Sequence, residues 1–340
     1  MRRLLIILLV GTALWSGYWF AGSTALRHEV EAWFARQDAG GMRVEKTALS
    51  VMGFPNRFDL RVEGLSLTDP ASGIGWQVPF AEVYSMTWKP WHVIAAFPPD
   101  QVIRLPDQDI ALSASRLRAS LRARPATDLP LAAAVVETEG LQARSTLGWR
   151  VGAGKTVASL SADEQVPGAG DAENAYVLAL DMAELAPDPA MMARFAGGAG
   201  LPATIAMIQL RATARLTGPL DRHARDRPPG LVALDLSGAL VTWGDLSVTA
   251  AGAVAPDDLG YAAGRIEITV TNWERLMPVL VASGAVRPDL APTVQSMLAA
   301  LAQQTGDPAI LRLPLVLADG RMQLGPLPLG PAPRMVGPTG

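Results

Sequence analysis

The chain has 340 residues, of which 49% are apolar and 18% charged, and its 29 basic and 32 acidic residues leave a net charge of −3. So balanced a chain lacks the basic footprint of nucleic-acid binding, and no DNA or RNA partner is expected. The absence of cysteine removes disulfides, thiolate zinc sites, iron–sulfur clusters and cysteine nucleophiles together.

Arg2 and Arg3 precede residues 4–26, a stretch whose only ionisable group is the phenol of Tyr18. As a helix it would be about 34 Å long, enough to cross ~30 Å of hydrocarbon. Leu4 and Leu14 bracket its aliphatic part. Trp15, Tyr18, Trp19 and Phe20 follow toward the distal end, where amphipathic rings favour the headgroup region. This is the pattern of a signal-anchor transmembrane helix over residues 1–26. The rival reading is a cleaved signal peptide, with 4–14 as its apolar core and Ser23-Thr24-Ala25 as a small-residue site. The aromatic block stands where a polar cleavage region belongs, which favours the anchor. By the positive-inside rule the N-terminus stays in the cytoplasm and residues from 27 onward are translocated. In a Gram-negative cell that makes a single-pass inner-membrane protein with its bulk in the periplasm.

Residues 27–40 continue as a helical stalk, with Leu26, Val30, Trp33 and Phe34 at one-face spacing and Gly40-Gly41 as a stop. Period-2 alternation then takes over. It predicts strands at 58–67, 78–88, 110–123, 135–145, 176–182, 208–216, 231–241, 246–254 and 265–271. Two are sharpest. Ile208, Leu210 and Leu216 share one face against Gln209, Arg211 and Arg215, and Ile266, Ile268 and Val270 share one against Arg265, Glu267 and Thr269. Gly152-Ala153-Gly154-Lys155-Thr156 ends like a phosphate-binding loop, but position 149 is Trp149 where that motif needs glycine; a hairpin turn is the reading adopted. A short helix is expected at 189–196, with Asp188 as N-cap and Gly197 past its end. Two more are expected at 273–282, kinked at Pro278, and at 290–304, stopped by Gly306. Asp319-Gly320 joins two strands as a hairpin turn, as does Trp243-Gly244-Asp245.

These elements predict an α+β, predominantly antiparallel β fold: a transmembrane helix, then a large curled or sandwich-like sheet with a few short helices. One β-rich domain would span 41–330, with strand–helix–strand sub-repeats near 170–220 and 262–325 and a disordered tail at 331–340. The apolar strand faces need cover. Either a second sheet closes over them, or the sheet curls into a groove for acyl chains, with Ile208, Leu210, Leu216, Ile266, Ile268 and Val270 as its candidate lining. His28, His92 and His223 are not spaced for a shared metal. The pairs Asp107/Asp109 and Asp257-Asp258 fall at turns, where aspartate bonds backbone. No catalytic, cofactor or metal residue is nominated, and an enzyme is not expected.

The succession Leu240-Val241-Thr242-Trp243-Gly244, Asp257-Asp258-Leu259-Gly260, then 264–272, Leu313-Pro314-Leu315, Asp319-Gly320-Arg321 and Leu324-Gly325-Pro326-Leu327-Pro328-Leu329-Gly330 resembles the bacterial domain of unknown function 2125. The closing strand–turn–strand is similar to the end of AsmA-like envelope proteins. That resemblance implies a periplasmic, inner-membrane-anchored protein with a role in phospholipid handling or envelope integrity, membrane lipid as partner and no catalytic residues to carry over. The chain is far shorter than lipid-bridging members of that group, so local lipid holding, or a scaffold role for envelope protein partners, is the form such a role would take.

Overall fold

The computed structural model describes residues 1–163, 174–196, 198–304 and 306–335. The chain forms two compact units: Met1–Arg124 with Val136–Trp149, and Pro125–Val135 with Arg150–Gly340. Both are built of antiparallel sheet, and the sheet does not close on itself.

The first unit contains α1 (Arg2–Ala39), β1 (Arg43–Glu45), β2 (Ala48–Met52), β3 (Arg57–Asp69), β4 (Ile74–Met86), β5 (Lys89–Ala96), β6 (Asp100–Leu105), β7 (Gln108–Ser113) and β8 (Arg116–Ala123). Along β9 (Leu131–Glu139) the chain passes from the second unit to the first, where β10 (Leu141–Ser145) follows. The long β3–β4 hairpin is the frame, paired from Arg57↔Met86 to Asp69↔Ile74. β1 and β2 share the free edge of β3. The free edge of β4 is divided, its start taken by β6 and its end by β5.

Residues 27–40 are not a free stalk. Residues 27–39 are the last third of one continuous 38-residue helix, and this part lies on the sheet. Val30 and Phe34 pack against Val62, Leu65 and Val78, and Phe34 is buried. Val62 and Leu65 are three apart, and the left-handed Gly64 between them, φ 57°, interrupts the alternation so that both join the apolar seam under α1.

Two expected strands are broken. Run 110–123 becomes β7 and β8, because β7 bonds β6 and β10 whereas β8 bonds β5. Ala114 and Ser115 between them donate instead to the carbonyls of Pro99 and Glu139. Run 135–145 breaks at Gly140, between β9 and β10. The run ending at Trp88 stops at Met86, where Thr87 turns to donate its N–H to Asn56.

The second unit contains β11 (Arg150–Ala153), β12 (Thr156–Ala162), β13 (Asn174–Leu185), α2 (Pro189–Ala196), β14 (Ile205–Leu216), β15 (Leu231–Trp243), β16 (Leu246–Pro256), β17 (Ala262–Thr271), a 3-10 turn (Trp273–Arg275), α3 (Leu276–Ala282), α4 (Ala291–Gln304), β18 (Ile310–Ala318), β19 (Arg321–Leu324) and β20 (Leu327–Pro331). From β12 to β20 each strand pairs with the next in sequence, an antiparallel meander. Both expected strand–helix–strand segments occur, as β13–α2–β14 and as β17–α3–α4–β18.

Residues 152–156 are not a hairpin turn. β11 and β12 run along the same partner, through Gly152↔Ala186 and Thr156↔Met182, so the glycines interrupt one line of pairing to β13. The Asp319-Gly320 turn matches its expectation: both residues have positive φ, 52° and 68°, and join Ala318 to Arg321, as a two-residue hairpin with matching twist requires. Asp188 caps α2, its Oδ1 accepting from the N–H groups of Ala190 and Met191 at 2.9 and 3.2 Å; Gly197, expected beyond it, lies outside the described residues. Pro278 does not kink its helix. It is the third residue of α3, in the first turn, where a missing N–H costs no intrahelical bond.

The start of the expected disordered tail is tied down. Ala332 is 5% exposed, its N–H donates to the Gly320 carbonyl, and Tyr261 bridges Arg334. Residues 336–340 lie outside the described residues.

Candidate functional site

The register of the meander brings all six candidate groove residues to one face. Ile208 stands opposite Met182 and Val241, and that row continues through Val248 to Val270 and Leu311. The next row runs Leu180, Leu210, Ala239, Ala250, Ile268, Leu313, and the next Leu178, Ala212, Leu236, Gly252, Ile266, Leu315. Leu216 lies further along, between Asn174 and Leu231. Directly opposed residues share a face, so this is a continuous apolar sheet surface.

The six residues have two fates. Val270 is 4% exposed and Ile268 packs beside it, under a helical cap in which Trp273, Met277, Leu298 and Ala302 are buried. Ile208, Leu210, Leu216 and Ile266 are only half-buried and do not belong to that cluster. The opposite face is polar: Arg211 pairs with Asp181 at 2.6 Å, and Gln209 donates to the same carboxylate at 2.9 Å. The Arg211 guanidinium and then the Gln209 amide hold the Asp181 carboxyl below its ordinary range.

Beside the cap lies a cleft of about 630 Å³ lined in part by Asp245, Asn272, Glu274 and Arg275. Asp245 and Arg275 are engaged with each other and with backbone. Arg275 reaches Asp245 Oδ2 at 3.2 Å and the Ala199 carbonyl at 3.2 Å, and Asn272 donates to the Asp245 carbonyl at 2.7 Å. On the β3–β4 hairpin, Glu82 accepts from the Tyr84 hydroxyl and from Arg61, the latter at 2.5 Å. These bonds favour the ionised carboxylate, so the Glu82 pKa is lowered; the same proton shared from Tyr84 raises that phenol's. Arg61 also stacks over Phe80, 4.4 Å from the ring centre. Among the described residues there is no group of three or more His, Asp or Glu side chains placed to hold a metal ion.

A second apolar constellation surrounds α1 where it meets the sheet. Trp15 Nε1 donates to the Pro55 carbonyl at 3.0 Å, Tyr18 Oη to the Thr87 carbonyl at 2.8 Å, and Trp19 Nε1 to the Arg57 carbonyl at 2.7 Å. Phe54 stacks on Phe20 and meets Trp19 edge-on, while Phe58 stacks on Trp19. Trp19 is buried. Leu4 and Leu14, the other nominated anchor residues, are exposed.

A family model described as an uncharacterized protein conserved in bacteria, DUF2125, matches residues 19–333. The chain belongs to this family. No curated protein and no solved structure matches it. The DUF2125 match begins at Trp19, the first buried residue of α1, and closes just past the buried Ala332. The docked half of the helix and the edge strand β20 therefore fall inside the family domain.

The ring contacts on α1 were missed in the sequence, where the four aromatics read as a headgroup belt alone. A signal was present. Phe54 and Trp88 sit in short turns, positions that turn chemistry ordinarily gives to Gly, Asn, Asp or Ser.

Proposed function

We propose that this is a non-enzymatic, single-pass inner-membrane protein, N-terminus in the cytoplasm and both units in the periplasm. In this reading the open apolar face of the meander shelters phospholipid acyl chains in an AsmA-like role in lipid handling or envelope integrity. The observation that carries the lipid reading is the half-buried apolar face around Ile208, Leu210 and Ile266, continuous across paired strands and only partly roofed by helices. Apolar sheet surface must be covered by something, and a protein held at a bilayer has acyl chains at hand.

The anchoring reading rests on α1, which is long and apolar enough to cross a membrane. Leu4, Leu5, Ile6, Ile7, Leu8 and Leu9 are each more than half exposed. Leaving such side chains in water forgoes about 1.5–3 kcal/mol apiece, so they need a lipid surround.

Two results are expected. A reporter that works only after export, fused behind the last residue, is active; activity confined to a cytoplasmic reporter at the same place would overturn the orientation. Native mass spectrometry of the full chain taken from membranes in mild detergent shows retained phospholipid. Leu210→Trp, which fills the face without charging it, lowers the retained fraction. Equal retention by this variant, or none by the wild type, would dismiss the acyl-chain face.

A further inference from the structure

We infer that the two turns beside α1, residues 52–56 and 86–88, are embedded in the membrane interface, so that the first unit docks on the bilayer through an apolar collar around its own anchor. The inference rests on α1 crossing the membrane.

Length is the first argument. Trp15, Tyr18 and Trp19 bond the turns and the first strand residue after them, and Ser23 is buried, so the free rod is residues 4–14, about 16 Å at 1.5 Å per residue. A hydrocarbon layer of ~30 Å needs about 20 residues. Counted from Leu4, the far boundary of that layer falls near Ser23, and tilt only moves it further along the helix. At this level Phe54 and Phe58 touch the helix. A bilayer that accepts α1 at its ordinary thickness therefore meets the turns as well.

The turns suit that depth. Met52, Phe54, Met86 and Trp88 are 53, 52, 43 and 55% exposed, four large apolar side chains at the tips of two adjacent hairpins. The carbonyls of Pro55 and Thr87 in the turns, and of Arg57 just after the first, are satisfied by Trp15, Tyr18 and Trp19 in that order. That lowers the cost of taking backbone out of water and leaves each indole or phenol with its polar atom bonded. Lys89 follows Trp88, where a flexible ammonium can reach headgroup phosphates. The other end of the same hairpin is different. Its turn is polar, with Asp69 accepting from Ala71 and Ser72. It lies 12 strand steps from the collar along β3, about 40 Å at 3.3 Å each.

The chain has no cysteine, so single-cysteine labelling reads depth directly. Leu8→Cys, Met52→Cys, Trp88→Cys and Ile74→Cys variants of the full chain are labelled with NBD in vesicles of phosphatidylethanolamine and phosphatidylglycerol. Doxyl lipids, spin-labelled near the headgroup or deep in the chain, are the quenchers. Position 8, about 6 Å inside the layer counted from Leu4, is quenched by both labels. Positions 52 and 88 are quenched severalfold more by the shallow label than position 74, with blue-shifted emission. Quenching at 52 and 88 no greater than at 74, with position 8 still quenched, would overturn the collar and leave the anchor standing. An unquenched position 8 would overturn both. Neither Met52 nor Trp88 takes part in the ring contacts of Trp19, Phe20, Phe54 and Phe58, so labelling there leaves that group intact.

Discussion

Trp273→Ala is expected to destabilise the second unit by about 3–5 kcal/mol, the range for truncating a buried tryptophan. The side chain is 2% exposed and sits in a cluster with Leu246, Val270, Met277, Leu298 and Leu311. It joins the cap to the sheet, since those partners come from β16, β17, α3, α4 and β18. Deletion loses the transfer energy of the ring, leaves a cavity among stiff neighbours, and strips the Pro308 carbonyl of the indole N–H that reaches it at 3.1 Å. Trp273→Phe separates these effects. It keeps most of the volume and removes the bond, so about 1–2 kcal/mol is expected. Urea unfolding followed by far-ultraviolet circular dichroism is the measurement, and with two units present the transition of the second is the one that moves. A midpoint unchanged by the alanine variant would mean that the cap is not part of the unit's cooperative core.

Much of the second unit was legible because its strands are amphipathic and its turns local. Ile208, Leu210 and Leu216 alternate with polar residues, and the β15–β16 and β18–β19 turns are two residues long, so period and turn chemistry suffice there. The first unit was harder. β4 divides its free edge between β5 and β6, and β7 and β8 separate because each follows a different partner. Those are tertiary choices with no signature in the local period. The anchor shows the same limit. Trp15, Tyr18 and Trp19 read equally well as a lipid belt or as hydrogen-bond donors to protein, because an amphipathic ring serves both; only the position of Pro55, Arg57 and Thr87 beside them shows the second role. Of the candidate face, which residues share it followed from alternation. Which of them are roofed did not, since α3 and α4 cover Ile268 and Val270 through contacts that no strand pattern encodes.

Gly252→Ala is expected to be as damaging as loss of a core side chain, although it adds a single methyl. Gly252 has φ +156°, and a Cβ built there would stand 2.1 Å from the Arg265 carbonyl oxygen and 2.6 Å from the Ile266 Cα. Those atoms are the backbone of the paired strand β17, which cannot rotate aside as a side chain would. Gly264, on the facing strand one row along, meets the Ala253 carbonyl at 2.2 Å in the same way. The pairing of β15 is also irregular beside this place, with register shifts on both of its edges near Leu236. Bulges and strand glycines together are how a sheet bends, so a bend of the apolar face is expected on this line across β15, β16 and β17. Relief of the clash means breaking the β16–β17 ladder or straightening the bend, and about 3 kcal/mol or more is expected from overpacking against rigid backbone. Gly238→Ala is the control. It lies on β15 beside the same bulge, yet a Cβ there meets nothing within 4 Å and its φ is not in the left-handed region. Removing unfolded-state freedom at no native cost makes that change neutral or stabilising by up to ~1 kcal/mol. Thermal or urea midpoints of the two variants should therefore move apart, and equal midpoints would show that the bend does not depend on the missing Cβ.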